Sequence, residues 1–328
     1  MNRLRGLGFG TLSGATLLAA GITYEKVSAR RDEKRFPGLG TRMDAGNLML
    51  HARVLGTEHH QSPTVVFESG LSTPLEAWAR IQPEVAKLAR TLSYDRAGLG
   101  RSDAGASPRT AERINRELAQ LLSNLDLPKP CVLVGHSYGG LLARCFADRF
   151  PETVAGMVLL DSAHPDQFQR STAQRMGLQI MRSTISQDAF WSPVGLTRIL
   201  TKRRVSQQIK DLPDEHLAVA TARLSSAHNF RGTRSELDGW LDHVNAETRE
   251  TVVPDGCRLT VVTAGKVAAS DPAHAQLQRE LAGLAKGSRH EVLADAEHMQ
   301  LLTHPEHAST VAKMICEMVL AIRESPTA

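Results

Sequence analysis

The hydrophobic pattern alternates between short, uninterrupted apolar runs and longer segments whose apolar positions recur every three or four residues. Several short runs end at Gly, Ser or Asp, which is typical of buried parallel strands that reach the edge of a sheet. The predicted strands are residues 41–44, 47–55, 64–68, 91–95, 131–134, 154–160, 259–263 and 290–293, and the predicted helices are residues 77–89, 110–125, 141–150, 274–285 and 309–322. This order predicts an α/β fold with a mostly parallel sheet flanked by helices.

The strand rhythm stops between residues 165 and 254, where the apolar positions follow helical periodicity instead. We interpret residues 165–254 as a helical cap inserted into the α/β fold. The core is then formed by residues 36–164 and 255–328.

The N-terminus carries 19 uncharged residues, Gly6 to Tyr24, behind a basic start at Arg3 and Arg5. The segment is only moderately apolar, because five of its residues are glycine. We expect residues 1–35 to be a membrane anchor or signal segment followed by a polar linker. The protein is then anchored in a membrane or exported through it. The basic flank after the segment favours a cytoplasmic body whereas signal-peptide character favours export, so the side of the membrane and any cleavage stay open.

Charge and composition bear on the kind of partner. The chain has 39 Lys and Arg against 35 Asp and Glu, a net charge of +4 that is spread along its length, and only 4% of its residues are aromatic. It lacks both a basic stripe and a supply of stacking aromatics, which argues against nucleic acid as a partner. The four cysteines show no CxxC or Cys/His ligand spacing, and we expect neither a metal nor a cofactor.

A candidate nucleophile lies between a predicted strand and a predicted helix. Gly135-His-Ser-Tyr-Gly139 matches the pattern G-x-S-x-G, in which small residues allow a strained turn that exposes the serine above the sheet. The strand before it and the helix after it are the context that this motif requires. Ser137 is therefore the predicted nucleophile.

A serine hydroxyl needs a general base and a third group that holds the base. His298 follows the last predicted strand and is the predicted base, since that position lies at the same sheet edge as Ser137. Two aspartates follow strands between the serine and the histidine, Asp161 and Asp271. Either is a candidate acid. Each also has a purely structural explanation, because Asp271 could cap a helix and Asp161 could bind loop amides.

Acyl transfer also requires two N–H donors for the oxyanion. The backbone of Tyr138, next to the serine, is one predicted donor. Leu71 is the other, because Gly70 before it allows the loop after the third strand to turn inward.

At this point the chain resembles the α/β-hydrolase superfamily over roughly residues 40–325. Beyond the serine motif, residues 95–102, Asp-Arg-Ala-Gly-Leu-Gly-Arg-Ser, look like the family's Asp-Arg-x-Gly-x-Gly-x-Ser loop after the fourth strand, a structural loop in most members. Two positions depart from the family pattern. Ser69 precedes Gly70 where His is usual, and Glu297 precedes His298 where Gly is usual, which puts a charged side chain beside the predicted base.

The resemblance implies a cap-containing serine hydrolase that acts on a small carboxylic ester, a carboxylesterase with a small-molecule acyl substrate. Members that open epoxides or dehalogenate are expected to carry Asp where this chain has Ser137. A noncatalytic small-ligand sensor, an acyltransferase and a perhydrolase stand as alternatives on the same fold. The aromatic residues Phe190, Trp191 and Trp240 of the cap are candidates for an acyl pocket, although core packing is more typical of such side chains. The substrate and the oligomeric state stay open.

Overall fold

An eight-stranded sheet forms the centre of the molecule. The computed structural model describes the backbone of residues 3–324 and the side chains of residues 14–324. Its strands are β1 Thr41–Asp44, β2 Met49–Leu55, β3 Thr64–Glu68, β4 Thr91–Tyr94, β5 Cys131–His136, β6 Val154–Leu160, β7 Arg258–Ala264 and β8 Arg289–Leu293. They are arranged in the order β1-β2-β4-β3-β5-β6-β7-β8, with β2 antiparallel to both neighbours and all other pairs parallel. The predicted mostly parallel sheet is confirmed.

Helices cover both faces of this sheet. They are α1 Arg3–Arg35, α2 Gln82–Val85, α3 Ala111–Asn124, α4 Tyr138–Arg149, α5 Gln167–Arg170, α6 Thr172–Trp191, α7 Leu196–Gln208, α8 Asp214–Leu224, α9 Ala227–Gly239, α10 Asn245–Arg249, α11 Gly265–Ser270, α12 Pro272–Ala282, α13 Gln300–Thr303 and α14 Pro305–Glu324. One buried cluster joins the sheet to α2 and α14, and a second joins its other face to α3, α4 and α12. Because both faces are covered, β3 to β6 are buried along their whole length, which explains the continuous apolar runs in β5 and β6.

The predicted helix at residues 77–89 is wrong. The structure has a 3₁₀ turn at Leu75–Trp78 and then the single turn α2. Pro83 lies in the first turn of α2, where its missing N–H costs nothing, whereas inside a helix from residue 77 it would break a backbone hydrogen bond. The proline therefore divides a segment whose apolar spacing looks continuous.

The segment between β6 and β7 contains α5 to α10, and the predicted cap at residues 165–254 lies within it. The N-terminal helix α1 packs against this segment. Arg198 of α7 donates to Glu25 of α1 at 2.6 and 2.9 Å and also binds Asp32, and Glu25 accepts from the backbone N–H of Ala227 at 2.9 Å. The second half of α1 is thus attached to the cap by buried ionic contacts.

Part of the predicted N-terminal segment and the last four residues of the predicted core lie outside the described residues. This applies to residues 1 and 2, to the side chains of residues 3–13 and to residues 325–328. Within residues 3–324, no helix is both long enough and apolar enough to cross a membrane.

Candidate active site

Ser137 lies at a sharp turn between β5 and α4. Its backbone has φ 54° and ψ −123°, a region that residues other than glycine rarely adopt. The turn is fixed to the end of the neighbouring strand, because Ser137 N–H donates to Leu160 O at 3.1 Å and Ser137 O accepts from Ala163 N–H at 2.9 Å. The strained conformation is therefore held by the sheet around it, as at many functional sites.

The glycines of the motif are required by close backbone contacts. A Cβ on Gly139 would lie 2.2 Å from Glu68 O, and one on Gly135 would lie 2.7 Å from the Cα of Gly140. Any larger residue would push α4 away from β3 and β5. Glycine is therefore needed at both positions of the motif, because only glycine allows the tight packing that places Ser137 at this edge of the sheet.

Asp161 is the carboxylate that the structure brings to His298. It follows β6, is buried, and itself has a positive φ of 40°. Its Oδ2 accepts from His298 Nδ1 at 2.6 Å, while its Oδ1 accepts from Ala264 N–H at 3.0 Å and from His274 Nε2 at 2.9 Å. Burial alone would raise the pKa of Asp161, but the hydrogen bonds from His274 and His298 outweigh it and hold that pKa well below its usual range. The carboxylate is charged at neutral pH.

Asp271 makes its contacts elsewhere. It is the N-cap of α12, where it accepts from the backbone N–H of His274 at 3.2 Å, and it accepts from Ser171 Oγ at 2.6 Å. Of the two aspartates that the sequence left open, only Asp161 touches His298 in the described part of the chain. The capping alternative accounts for Asp271.

His298 lies in the loop after β8, and its side chain is 40% exposed. Its backbone carbonyl accepts from His136 Nε2 at 3.2 Å, and the two imidazole rings are 4.5 Å apart between centroids. Burial, and then the neighbouring His298, lower the pKa of His136 to about 3, so this residue is neutral and contributes a hydrogen bond but no charge. His136 immediately precedes Ser137, so the loop of His298 is bound next to the serine. The described residues form no hydrogen bond between Ser137 and His298, as is common before substrate binds.

Glu297, which stands where the family usually has glycine before the histidine, pairs with Lys266. Its side chain is mostly exposed and lies 3.5 Å from Lys266 Nζ. The departure from the family pattern therefore does not crowd His298.

Arg96 connects the loop after β3 to the cap. Its guanidinium is fully buried and donates to Ser69 O at 2.6 Å and to Gly70 O at 2.8 Å. It also donates to Glu68 at 2.7 Å and, through two nitrogens, to Glu236 of α9 at 2.6 and 3.0 Å. One side chain thus binds the carbonyl oxygens of both Ser69 and Gly70, and this fixes the loop that contains Leu71.

The predicted oxyanion donors lie on this fixed loop and at the serine turn. A Cβ on Gly70 would lie 3.3 Å from Ser137 Cβ, so the loop before Leu71 passes directly beside the serine. Because the C=O and N–H of one peptide point in opposite directions, the bond from Arg96 to Gly70 O directs the Leu71 N–H away from Arg96. Tyr138 begins α4 next to Ser137, and its ring packs on Arg96 at 5.3 Å.

The cap aromatics occupy two different environments. Trp240 is buried against Tyr138 and Phe168, with ring centroids 5.0 and 5.3 Å away. Phe190 and Trp191 are exposed at the surface, so the suggestion that they line an acyl pocket is wrong. Helical periodicity did not reveal their direction because α6 is apolar on two sides.

Sequence reasoning missed two contributors, His274 and Glu236. His274 lies in the first turn of α12 between two alanines, and nothing in its sequence neighbourhood separates it from a surface histidine. Glu236 lies 140 residues from Arg96, so only the fold brings them together. Among the side chains that the structure describes, residues 14–324, no three or more His, Cys, Asp or Glu are arranged to hold a metal ion.

Comparison with known proteins agrees with the observed fold. A family model described as the alpha/beta hydrolase fold matches residues 63–305. The chain is 35% identical over 113 residues to the Bacillus subtilis protein YqjL, described as uncharacterized, which covers 34% of this chain and 45% of that protein. It is 29% identical over 129 residues to epoxide hydrolase 3 of Xenopus tropicalis, which covers 39% of this chain and 34% of that protein. In both relatives the aligned segment spans less than half of the relative's length.

A solved structure is similar over a longer span. The enol-lactonase of Burkholderia xenovorans LB400 matches with a TM-score of 0.60 at 21% identity, covering 85% of this chain and 99% of that one. At this identity the likeness concerns the fold.

Proposed function

The chain belongs to the α/β-hydrolase family, and from that premise we propose that it hydrolyses a small carboxylic ester through an acyl-enzyme formed on Ser137. Family membership and the hydrolase relatives support a hydrolase function. The observation that carries the finer proposal is the 2.6 Å bond between buried, ionised Asp161 and His298 beside the strained serine turn.

In the proposed reaction Ser137 Oγ forms a bond to the ester carbonyl carbon while its proton passes to His298 Nε2. The carbon–oxygen bond to the alcohol then breaks, and His298 returns the proton to the leaving alkoxide. A water oxygen next forms a bond to the acyl carbon while one of its protons passes to His298 Nε2. The bond between that carbon and Ser137 Oγ then breaks, and His298 returns the proton to Oγ, which gives the free acid and the starting serine. Asp161 accepts the Nδ1–H of His298 throughout, which keeps Nε2 free to take the proton and stabilises the imidazolium.

The negative oxygen of each tetrahedral intermediate is held by backbone N–H groups. We assign this role to Leu71 and Tyr138, each donor contributing about 3 kcal/mol in comparable sites. Arg96 supports Leu71 through the adjacent carbonyls of Ser69 and Gly70. The guanidinium is therefore a positioning group for the loop and does not touch the substrate.

His274 positions the acid in this proposal. Its Nε2–H and the N–H of Ala264 both bind Asp161 Oδ1, which leaves Oδ2 for His298. With one oxygen held by two donors, the carboxylate cannot rotate freely, so the imidazole keeps its orientation.

The residue at the serine turn separates ester hydrolysis from epoxide opening. One relative is named an epoxide hydrolase, and family members with that activity are expected to carry Asp at this position. This chain has Ser137, whose hydroxyl suits acyl transfer. The intact serine, histidine and aspartate also count against a noncatalytic sensor.

The test is hydrolysis of p-nitrophenyl acetate and butyrate by the full chain and by Ser137→Ala. We expect kcat to fall by about 10⁴-fold or more in the variant, because the residual rate comes from binding and the oxyanion donors alone. Ser123→Ala, at an exposed position of α3, is the matched control and should retain normal turnover. Equal turnover in wild type and Ser137→Ala would contradict the assignment.

A further inference from the structure

Helix α6 of the cap has two apolar faces, and only one of them is covered. At about 100° per residue, Leu178, Met181 and Ile185 lie within one arc of about 60°. This inner face packs against the buried cluster that includes Tyr138, and Leu71 packs against the same cluster. Opposite it, an outer stripe spans an arc of about 100°. The stripe consists of Met176, Ile180, Phe190 and Trp191, all of them exposed.

The outer stripe continues onto two neighbouring helices. On α7 the side chains of Leu196, Ile199 and Leu200 are exposed, and on α1 those of Leu17, Leu18 and Ile22 are exposed. The turn at Ser192–Val194 joins the three helices, since Gly21 of α1 comes so close that a Cβ there would lie 2.5 Å from Val194 O. We call these ten side chains, four on α6 and three on each of the other helices, the cap apolar surface.

The concentration of apolar side chains at this place is unusual. Of the sixteen large hydrophobic side chains that are exposed in the described part of the chain, twelve lie on α1, α6 and α7. Single exposed apolar residues are ordinary, whereas a contiguous group marks a surface that contacts a partner or a membrane. Phe190 is 72% exposed and Leu200 is 69% exposed, so neither contributes to the packing of the cap itself.

The charged side chains beside this surface are mostly positive. Residues 172–208 contain six Lys and Arg side chains and one carboxylate, Asp188, which is paired with Arg204. Arg198 is used internally by Glu25, but Lys202 and Arg203 are exposed at the edge of the cap apolar surface and form none of the ion pairs within residues 14–324. An apolar surface bordered by cations fits the interface of an anionic lipid bilayer, where aromatic and aliphatic side chains enter the headgroup region and cations remain at the phosphates.

A second copy of the chain fits this surface less well. A symmetric dimer uses the same patch on both subunits, so it would bring two cationic rims together. An anionic bilayer instead supplies the opposite charge and covers the apolar side chains at the same time.

We propose that the cap apolar surface docks the protein onto an anionic lipid bilayer, with α6 lying between the bilayer and the apolar cluster beside Ser137. This docking is independent of the proposed ester hydrolysis, because it depends on surface side chains that do not belong to the site.

The test measures partition of the full chain into vesicles of phosphatidylcholine with about 30% phosphatidylserine, and into pure phosphatidylcholine, by co-sedimentation. We expect binding to the anionic vesicles that is weaker on the neutral ones and falls with salt. Phe190→Asp combined with Leu200→Asp should lower the partition coefficient by about tenfold or more. Lys202→Glu with Arg203→Glu should lower it on anionic vesicles only.

The matched control replaces two exposed apolar residues outside the surface, Val252→Asp with Val292→Asp, and should leave partition unchanged. Thermal unfolding followed by circular dichroism verifies that each variant is folded. The proposal is overturned if the full chain binds neither vesicle, or if Phe190→Asp with Leu200→Asp partitions like wild type. It is also overturned if that variant converts a dimer to a monomer, measured by light scattering, while vesicle binding stays the same.

Discussion

Replacing Asp161 by Asn tests how the carboxylate controls His298. Oδ1 of Asp161 faces two donors, Ala264 N–H and His274 Nε2, whereas Oδ2 faces only His298 Nδ1. In Asp161→Asn the amide oxygen should therefore occupy the Oδ1 position, because two donors bind it there, and the NH₂ group should face His298. An NH₂ group cannot accept the Nδ1–H, so the imidazole must take the tautomer with its proton on Nε2.

That tautomer cannot accept the proton of Ser137. We expect kcat to fall by about 10⁴-fold, as a wrong histidine tautomer does in other serine hydrolytic sites. At about 1.36 kcal/mol for each tenfold, this is a loss of about 5.4 kcal/mol of transition-state stabilisation. KM should change little, because neither Asp161 nor its amide replacement contacts the substrate in the proposed complex.

The matched control is Asp271→Asn. Asn caps a helix about as well as Asp, and its NH₂ group can donate to Ser171 Oγ where the carboxylate of Asp271 accepts from it, so kcat should stay within about threefold of wild type. Both variants are assayed with p-nitrophenyl acetate, after circular dichroism has verified folding. Activity of Asp161→Asn within tenfold of wild type, or near-complete loss in Asp271→Asn, would refute the tautomer reasoning.

Three further perturbations test other parts of the account. His274→Leu removes a donor to Asp161 and should lower kcat about tenfold at unchanged KM. His274→Gln keeps an N–H donor and should retain most of the wild-type kcat. Equal losses of kcat in the two variants would contradict a positioning role for His274. Arg96→Met leaves two buried carboxylates unpaired and should reduce the free energy of unfolding in urea by about 3–5 kcal/mol, a loss that Arg96→Met with Glu236→Gln should partly restore. Burial, and then the charge of Asp95, raise the pKa of Glu76 to about 7. The folded protein therefore binds more protons than the unfolded chain between pH 4.5 and 7, so the free energy of unfolding declines as pH rises through this range. Glu76→Gln removes that dependence and should be more stable than wild type by up to about 3 kcal/mol at pH 8, but not at pH 4.5. A difference in the free energy of unfolding that stays the same at both pH values would show that Glu76 does not titrate in this range.

The sheet was predictable because its strands are buried on both faces. β3 and β6 have the predicted bounds, since uninterrupted apolar runs between Gly, Ser and Asp leave little choice of element. The segment around Pro83 was not predictable from spacing, because apolar periodicity continues across a break that the proline imposes. The pattern thus identifies buried elements well but not interruptions within them.

The candidate site was predictable only in part. The motif around Ser137 and the chain order around His298 come from local sequence, so both residues could be named in advance. The choice between Asp161 and Asp271 depends on where the loops after β6 and β7 go in space, which local sequence does not contain. The contribution of His274 is hidden for the same reason, because its bond to Asp161 joins residues 113 positions apart.

Covalent labelling shows directly whether Ser137 is an activated nucleophile. The full chain and Ser137→Ala are incubated with a fluorophosphonate probe, and the intact mass of each is measured. We expect one adduct on the wild-type protein and none on the variant. A folded wild-type protein that gains no adduct, or a Ser137→Ala variant that gains the same adduct, would contradict it.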